Sequence, residues 1–213
     1  MTYKVHVLEN GYSSLNEDGS MSACGTCTLI KGENVNMVVD TLSPWDKDIL
    51  VDSLAKFNLS PSDVTHLVCT HGHPDHIGNN NLFTAAKLHI VGHSIHHRNE
   101  YYPHGFEEGK CYEIDGENLY VLPTPGHTLD SISVIVKTED GCTVCVAGDL
   151  FEKESDLKDA SLWKEAGSED EVAQVRNRTK VLLLSDFIIP GHGPMFAVTQ
   201  EMKADARSMQ KNS

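Results

Sequence analysis

The sequence predicts an α/β protein, α+β in some schemes, in which two sheets pack face to face with helices outside. Three observations lead there. Strand-like and helix-like segments alternate along 213 residues, the pattern of a layered mixed fold. The strand-like runs cluster in both halves of the chain, which two packed sheets would account for. Four of those runs end on a residue able to bind a metal, which asks for a shared edge. Periodicity alone does not choose this arrangement over a doubly wound sheet.

The elements follow in order. Residues 3–8 and 23–31 read as strands, and 35–40 (VNMVVD) as a buried one, a short apolar run. Residues 46–57 (DKDILVDSLAKF) place Ile49, Leu50, Leu54 and Phe57 on one helical face. A strand at 65–70 (THLVCT) leads into a polar loop, 71–81. Strands near 87–91, 111–114, 119–122, 131–137 and 143–147 follow, the last two turning through Glu139-Asp140-Gly141. Residues 155–183 read as helix with a break at Gly167-Ser168, then a short strand at 186–189 and a closing helix at 199–210.

Length and composition point to one domain, 1–213, large enough to bury roughly two-thirds of its unfolded surface without disulfides. With 39% hydrophobic and 23% charged residues it reads as an ordinary globular chain. No apolar run reaches the ~20 residues of a membrane span, so no membrane partner is expected. The start, MTYKVHVLEN, has no basic and apolar signal-peptide pattern. The expected location is cytoplasm or nucleus, not secretion. Cys24/Cys27 and Cys142/Cys145 form two C-x-x-C pairs that could make a zinc site or redox pairs. No knuckle turn surrounds either pair, and residues i and i+3 of a strand face opposite ways, so core packing is expected, as for Cys69. The formal charge of −14 and the absence of a Lys/Arg-rich run exclude a broad nucleic-acid-binding face.

The chemistry sits in residues 70–78, THGHPDHIG. His71, His73, Asp75 and His76 place four imidazole or carboxylate ligands within six residues, types that suit zinc and also iron or manganese. LYVLPTPGH ends at His127, TVCVAGD at Asp149 and DFIIPGH at His192. In each an apolar strand runs through a glycine into a ligand-type residue, so the side chain can project from the strand end into a common cleft. His66, within the strand 65–70, reads as structural, and His89 and His93 as surface or packing residues.

The order H-x-H-x-D-H, P-G-H, G-D, P-G-H resembles the metallo-β-lactamase superfamily along almost the whole chain. That resemblance implies a four-layer αββα sandwich with the metal site on one sheet edge. It implies a first ion on His71, His73 and His127, a second on Asp75, His76 and His192, and Asp149 bridging them. Asp40 resembles the superfamily's early Asp, a supporting partner of the ligands, although Asp40-Thr41-Leu42 has leucine where relatives often have glycine. Thr128 and Ser131 could orient ligands by hydrogen bonds. Two divalent ions sharing a water lower its pKa toward ~7, so hydroxide is the expected nucleophile and Asp75 the expected catalytic residue that holds the water and takes its proton.

Non-ligand stretches narrow the resemblance. GHPDHIGN (72–79), YPHGFEEG (102–109), CVAGDLFE (145–152) and the run 176–196 resemble the animal metallo-β-lactamase domain-containing protein 1 family. Vertebrate members are associated with endonucleolytic processing of histone pre-mRNA 3′ ends, with zinc and as homodimers, in nucleus and cytosol. The resemblance thus implies a single-stranded RNA substrate, gripped near the metals. Tyr101, Tyr102, His104, Phe106 and Phe151 are the candidate cleft residues, aromatics able to stack a base or cover an acyl group. Arg176, Arg178 and Lys180 read as a solvated helix face. The alternatives are a glyoxalase II-like hydrolase of a thioester or lactone, and a metal-binding regulatory protein without turnover.

Overall fold

The structure, a computed structural model, describes residues 2–211. Its first half runs β1 (Lys4–Glu9), β2 (Tyr12–Leu15), β3 (Met21–Cys24), β4 (Cys27–Lys31), β5 (Asn36–Val39), α1 (Lys47–Ala55), β6 (His66–Cys69), α2 (Pro74–Ile77), β7 (Leu88–Val91), β8 (Ser94–His97) and β9 (Glu100–Tyr102). The second half runs β10 (Tyr112–Asp115), β11 (Leu119–Pro123), β12 (Ile132–Lys137), β13 (Thr143–Gly148), α3 (Ala160–Glu165), α4 (Glu171–Leu184), β14 (Phe187–Pro190), β15 (Phe196–Ala197) and α5 (Gln200–Lys211).

Each half makes one sheet. The first has the order β1-β4-β5-β6-β7-β8-β9, the second β10-β11-β12-β13-β14-β15, and β2 and β3 form a separate hairpin. The β5–β6, β6–β7 and β13–β14 pairs are parallel, and a parallel neighbour requires a crossover. α1 lies in the first such crossover and α3 and α4 in the last.

The strand alternation decides which layer each residue joins. Met37, Val39 and Val68 meet Val134, Val136 and Val146 in a core between the sheets. Their neighbours Val38, Leu67 and Cys69 turn outward to Leu50 and Leu54 of α1, and Ile135, Cys145 and Ile188 turn outward to Val181 and Leu182 of α4. Strands covered on both faces read as unbroken apolar runs, which is why their period of two was hidden in the sequence. The result is the expected four-layer sandwich.

The local departures have local causes. The run 23–31 is interrupted at Gly25-Thr26, where Gly25 N donates to Asp75 O (3.2 Å) and Thr26 N to Gly191 O (2.7 Å). Those bonds take the backbone out of strand pairing and against two ligand loops. The strands β8, β9 and β15, and the β2–β3 hairpin apart from Ala23 and Cys24, were not anticipated: they are two to four residues long and mostly exposed or half-buried, so they carry little alternating apolar signal. The loop 71–81 contains the short helix α2, opened by Pro74 at a position that needs no N–H. Residues 155–183 divide into α3 and α4, each started by an aspartate whose side chain caps it, Asp159 and Asp170. Ile49 is 48% exposed, while Leu50 and Leu54 carry the buried face of α1. All six cysteines are free; Cys24 and Cys27 pack in the core under α1 and Cys145 in the core under α4, while Cys142 is half-buried and joins neither.

Candidate metal centre

Seven side chains converge at the ends of strands and their following loops. His71, His73, Asp75 and His76 follow β6, His127 follows β11, Asp149 follows β13 and His192 follows β14. His71, His73, His127 and Asp149 each offer a ligand atom within 4.8 Å of one another, and so do Asp75, His76 and His192. His71 Nε2 and His127 Nε2 lie 2.9 Å and 3.1 Å from His73 Nδ1. Asp149 stands among both groups. Its Oδ2 is 3.6 Å from His71 Nε2, 3.4 Å from His127 Nε2 and 3.2 Å from His192 Nε2, and its Oδ1 is 3.2 Å from His76 Nε2.

What would make these rings ligands is what holds their other nitrogens. His127 Nδ1 donates to Gly167 O (2.7 Å), and His192 Nδ1 to the carbonyls of Tyr12 and Cys24 (3.1 and 3.0 Å). A carbonyl can only accept, so the proton sits on Nδ1 and the inward Nε2 is free to bind. His76 Nδ1 bonds Asp40 Oδ2 (2.8 Å). Thr70 Oγ1 donates to the same carboxylate (2.9 Å) and lies 3.1 Å from His71 Nδ1, whose N–H it can then accept. Asp40 also takes the Thr70 N–H (2.7 Å). One carboxylate thereby orients two rings. It does so from a left-handed backbone, φ 60°, and Leu42 two residues on has φ 59°. Glycine adopts such a φ freely, so Leu42 holds a backbone conformation that L side chains rarely take.

The cluster is electrically divided. Burial and the neighbouring His76 push His71 well below the usual imidazole range, and burial lowers His127 as well. Burial also opposes charge on His76, but Asp149 and Asp40 outweigh it and raise that ring well above its usual value. His192 is pushed up to about 9 by Asp149 against the same burial cost. Asp149 itself is held well below the carboxylate range, with His76 and His71 overcoming its desolvation. Protons on His76 and His192 are what an ion would displace. The fit to a cation is direct: His76 Nε2 and Asp149 Oδ1 are both buried and neither makes a hydrogen bond. The two atoms are 3.2 Å apart, a buried ion pair when His76 carries its second proton, and a cation in that proton's place would meet both.

The supporting residues divide. Asp40 bonds the His76 ring directly and reaches His71 through Thr70. Thr128 and Ser131 bond each other (2.7 Å), Thr128 Oγ1 also donates to Asp130 Oδ1 (2.8 Å), and the pair closes the turn after His127 instead of bonding one of the converging rings. Of the cleft candidates, Phe106 is 2% exposed in the core between the sheets and Phe151 is fully buried against α4 and β15, so neither can meet a substrate. His104 packs on Phe106 and Tyr112. Tyr101 and Tyr102 are exposed on β9, an edge strand. Sequence reading missed a polar stripe on α4. Gln174 Nε2 donates to Asp149 O (3.1 Å), Asn177 Nδ2 to Pro125 O (2.7 Å) and Arg178 Nη1 to Leu150 O (2.8 Å). All three are buried, so Arg178 is not the solvated residue its charge suggested. Spacing of three and four was the available signal, but it does not tell a polar inner face from a wet one.

Gly191 shows how tightly the loops meet. A Cβ there would lie well inside van der Waals contact of Asp149 Oδ1, while its N–H is tied to Gly148 O and Phe151 O. Gly191→Ala is therefore expected to displace Asp149 and weaken metal binding by roughly 10–100-fold. Zinc titration of the metal-free protein against a competing chelator measures this, and an unchanged affinity would remove Asp149 from the site.

A family model described as Metallo-beta-lactamase superfamily matches residues 25–192. The chain is 44% identical over 197 residues to Metallo-beta-lactamase domain-containing protein 1 of Xenopus laevis, covering 92% of this chain and 82% of that one. Against the human protein of that name the identity is also 44%, over 78% of this chain and 60% of the relative, so the chain spans less than two thirds of the human length. Among solved structures, a quorum-quenching N-acyl homoserine lactone hydrolase superposes with a TM-score of 0.66 at 22% identity, covering 91% of this chain and 93% of that one. This last likeness is one of fold.

Proposed function

The chain belongs to the metallo-β-lactamase superfamily, and on that premise we propose that it is a hydrolase using two divalent ions, zinc by ligand type. His71, His73 and His127 would hold one, Asp75, His76 and His192 the other, with Asp149 shared. The observation that carries this is the set of outward hydrogen bonds on His127 and His192, which leave Nε2 facing the cluster. When bound, such ions supply Lewis acidity and lower the pKa of a water toward ~7. Asp75 does the proton work. Its side chain is 21% exposed, with Oδ2 3.8 Å from both His76 Nε2 and His192 Nε2. It can take a proton from attacking water and return it to the leaving group.

For the substrate, the proposal follows the resemblance to the metallo-β-lactamase domain-containing protein 1 family: endonucleolytic cleavage of single-stranded RNA at histone pre-mRNA 3′ ends, by a homodimer in nucleus and cytosol. Register supports a stacking role for one tyrosine. Tyr102 pairs with Ile95, next to the Val91–Ser94 pair beside Cys69, so it sits at the metal end of the sheet, three strands from β6. That is roughly 14 Å at strand spacing, the reach of a flanking nucleotide. A second reading, an acyl thioester or lactone, is favoured by the β2–β3 hairpin. It is joined to His192 through Tyr12 O and Cys24 O and exposes Tyr12, Leu15 and Met21. One purified sample assayed on single-stranded RNA, an acyl thioester and a lactone separates the two. Chelation should abolish the activity found and Zn2+ restore it; activity that survives full metal removal would defeat the proposal.

A further inference from the structure

The loop that carries Asp149 brings a second carboxylate to the same place. Glu152 is buried, and its Oε2 is 3.8 Å from His192 Nε2. Asp149, Glu152 and His192 each present a ligand atom within 4.8 Å of one another, all three from buried side chains. Both peptide groups of Glu152 are pinned: its N–H donates to Asp156 Oδ2 (2.8 Å), and its carbonyl accepts from His192 N (2.9 Å). The side chain is thus set beside His192 by the backbone and not by a mobile loop.

The nearby cations are committed elsewhere. Arg178 is paired with Asp156, and Lys153 Nζ donates to Ser13 O. Among the described residues, His192 is the one ion-pair partner of Glu152. A buried carboxylate with so little compensation is costly, and beside it Asp149 Oδ1 has no hydrogen bond. A cation among these three residues would offset both costs.

Resting on the two-ion reading, we infer that Glu152 is a further oxygen donor to the ion position formed by Asp75, His76 and His192. That position then has the carboxylates of Asp75, Asp149 and Glu152 against two imidazoles, while the other has three imidazoles and Asp149. Carboxylate oxygen suits Mn2+ better than imidazole does. The two positions therefore differ in metal preference, and Glu152 sets the difference.

The test uses the full chain, stripped of metal, given one equivalent of Zn2+ and titrated with Mn2+ while free Mn2+ is followed by electron paramagnetic resonance. Wild type is expected to take up one Mn2+. Glu152→Gln should weaken that uptake by roughly 10–100-fold, and Glu152→Asp, which keeps the charge and shortens the reach, by less. Affinity for the first Zn2+ should stay within about threefold in both. Equal Mn2+ affinity in wild type and Glu152→Gln overturns the inference and leaves the two-ion reading standing. A wild type that binds a single ion overturns both. Circular dichroism reports folding, and if Glu152→Gln is unfolded, Glu152→Asp is judged by the same criterion.

Discussion

Asp75→Asn is expected to lower kcat by about 10²–10⁴-fold, the usual contribution of a positioned general base, and to leave the fold unchanged. The argument is positional. Of the other six converging side chains, five project from strand ends or the loop after β6 and His76 from α2, and all are held by bonds to the scaffold or to one another. Asp75 lies in the first turn of α2 and is partly open to solvent. Its carboxylate makes no hydrogen bond among the described residues, and its backbone carbonyl, which does accept from Gly25, is untouched by the change. Asparagine keeps the shape and removes the base. Stability should shift by no more than about 0.5 kcal/mol, as for an exposed substitution. The measurement is kcat at equal metal content, with metal assayed on the same sample. Activity within tenfold of wild type at equal metal would remove Asp75 from the proton transfer. Activity lost in step with metal would make it a ligand first.

How much of this could be read beforehand depends on what kind of group does each job. The converging side chains were legible as a cluster because imidazole and carboxylate are rare endings for an apolar strand, and four strands lead into one. Their orienting partners were not. Gly167, Tyr12 and Cys24 act through carbonyl oxygens, which every residue has, so no side-chain pattern marks them. Asp40 was visible because it acts through its side chain at the end of β5. Phe106 and Phe151, two of the cleft candidates, are buried away from solvent for a different reason. Phe151 is two residues from Asp149 in the chain, yet it turns to the outer core with Phe196 and Val181. Nearness in sequence says little about direction when a chain leaves a strand. The two sheets were inferred from clustering alone, since strands buried on both faces hide their alternation.

Arg178→Met is expected to cost about 3–5 kcal/mol of unfolding free energy, the range for breaking a buried ion pair from one side. Arg178 is 6% exposed and makes two bonds to the Asp156 carboxylate, Nη1 to Oδ2 (3.1 Å) and Nη2 to Oδ1 (2.5 Å). Its guanidinium also lies 4.3 Å over Phe151 and 5.2 Å from Trp163, stacking that methionine replaces only in part. Removing it leaves Asp156 buried with no counter-charge, while Asp156 still has to accept the Glu152 N–H. The damage should therefore pass along the loop from 149 to 156 to the ligands themselves. Metal affinity should fall together with stability, although Arg178 touches no ligand side chain. Adding Asp156→Asn to Arg178→Met should recover part of the lost stability, because it removes the stranded charge and keeps an acceptor. Urea unfolding of the metal-free wild type, Arg178→Met, Asp156→Asn and the double variant measures the cycle. A loss below about 1 kcal/mol for the single change would mean that the pair is solvated, and that α4 does not hold the Asp149 loop.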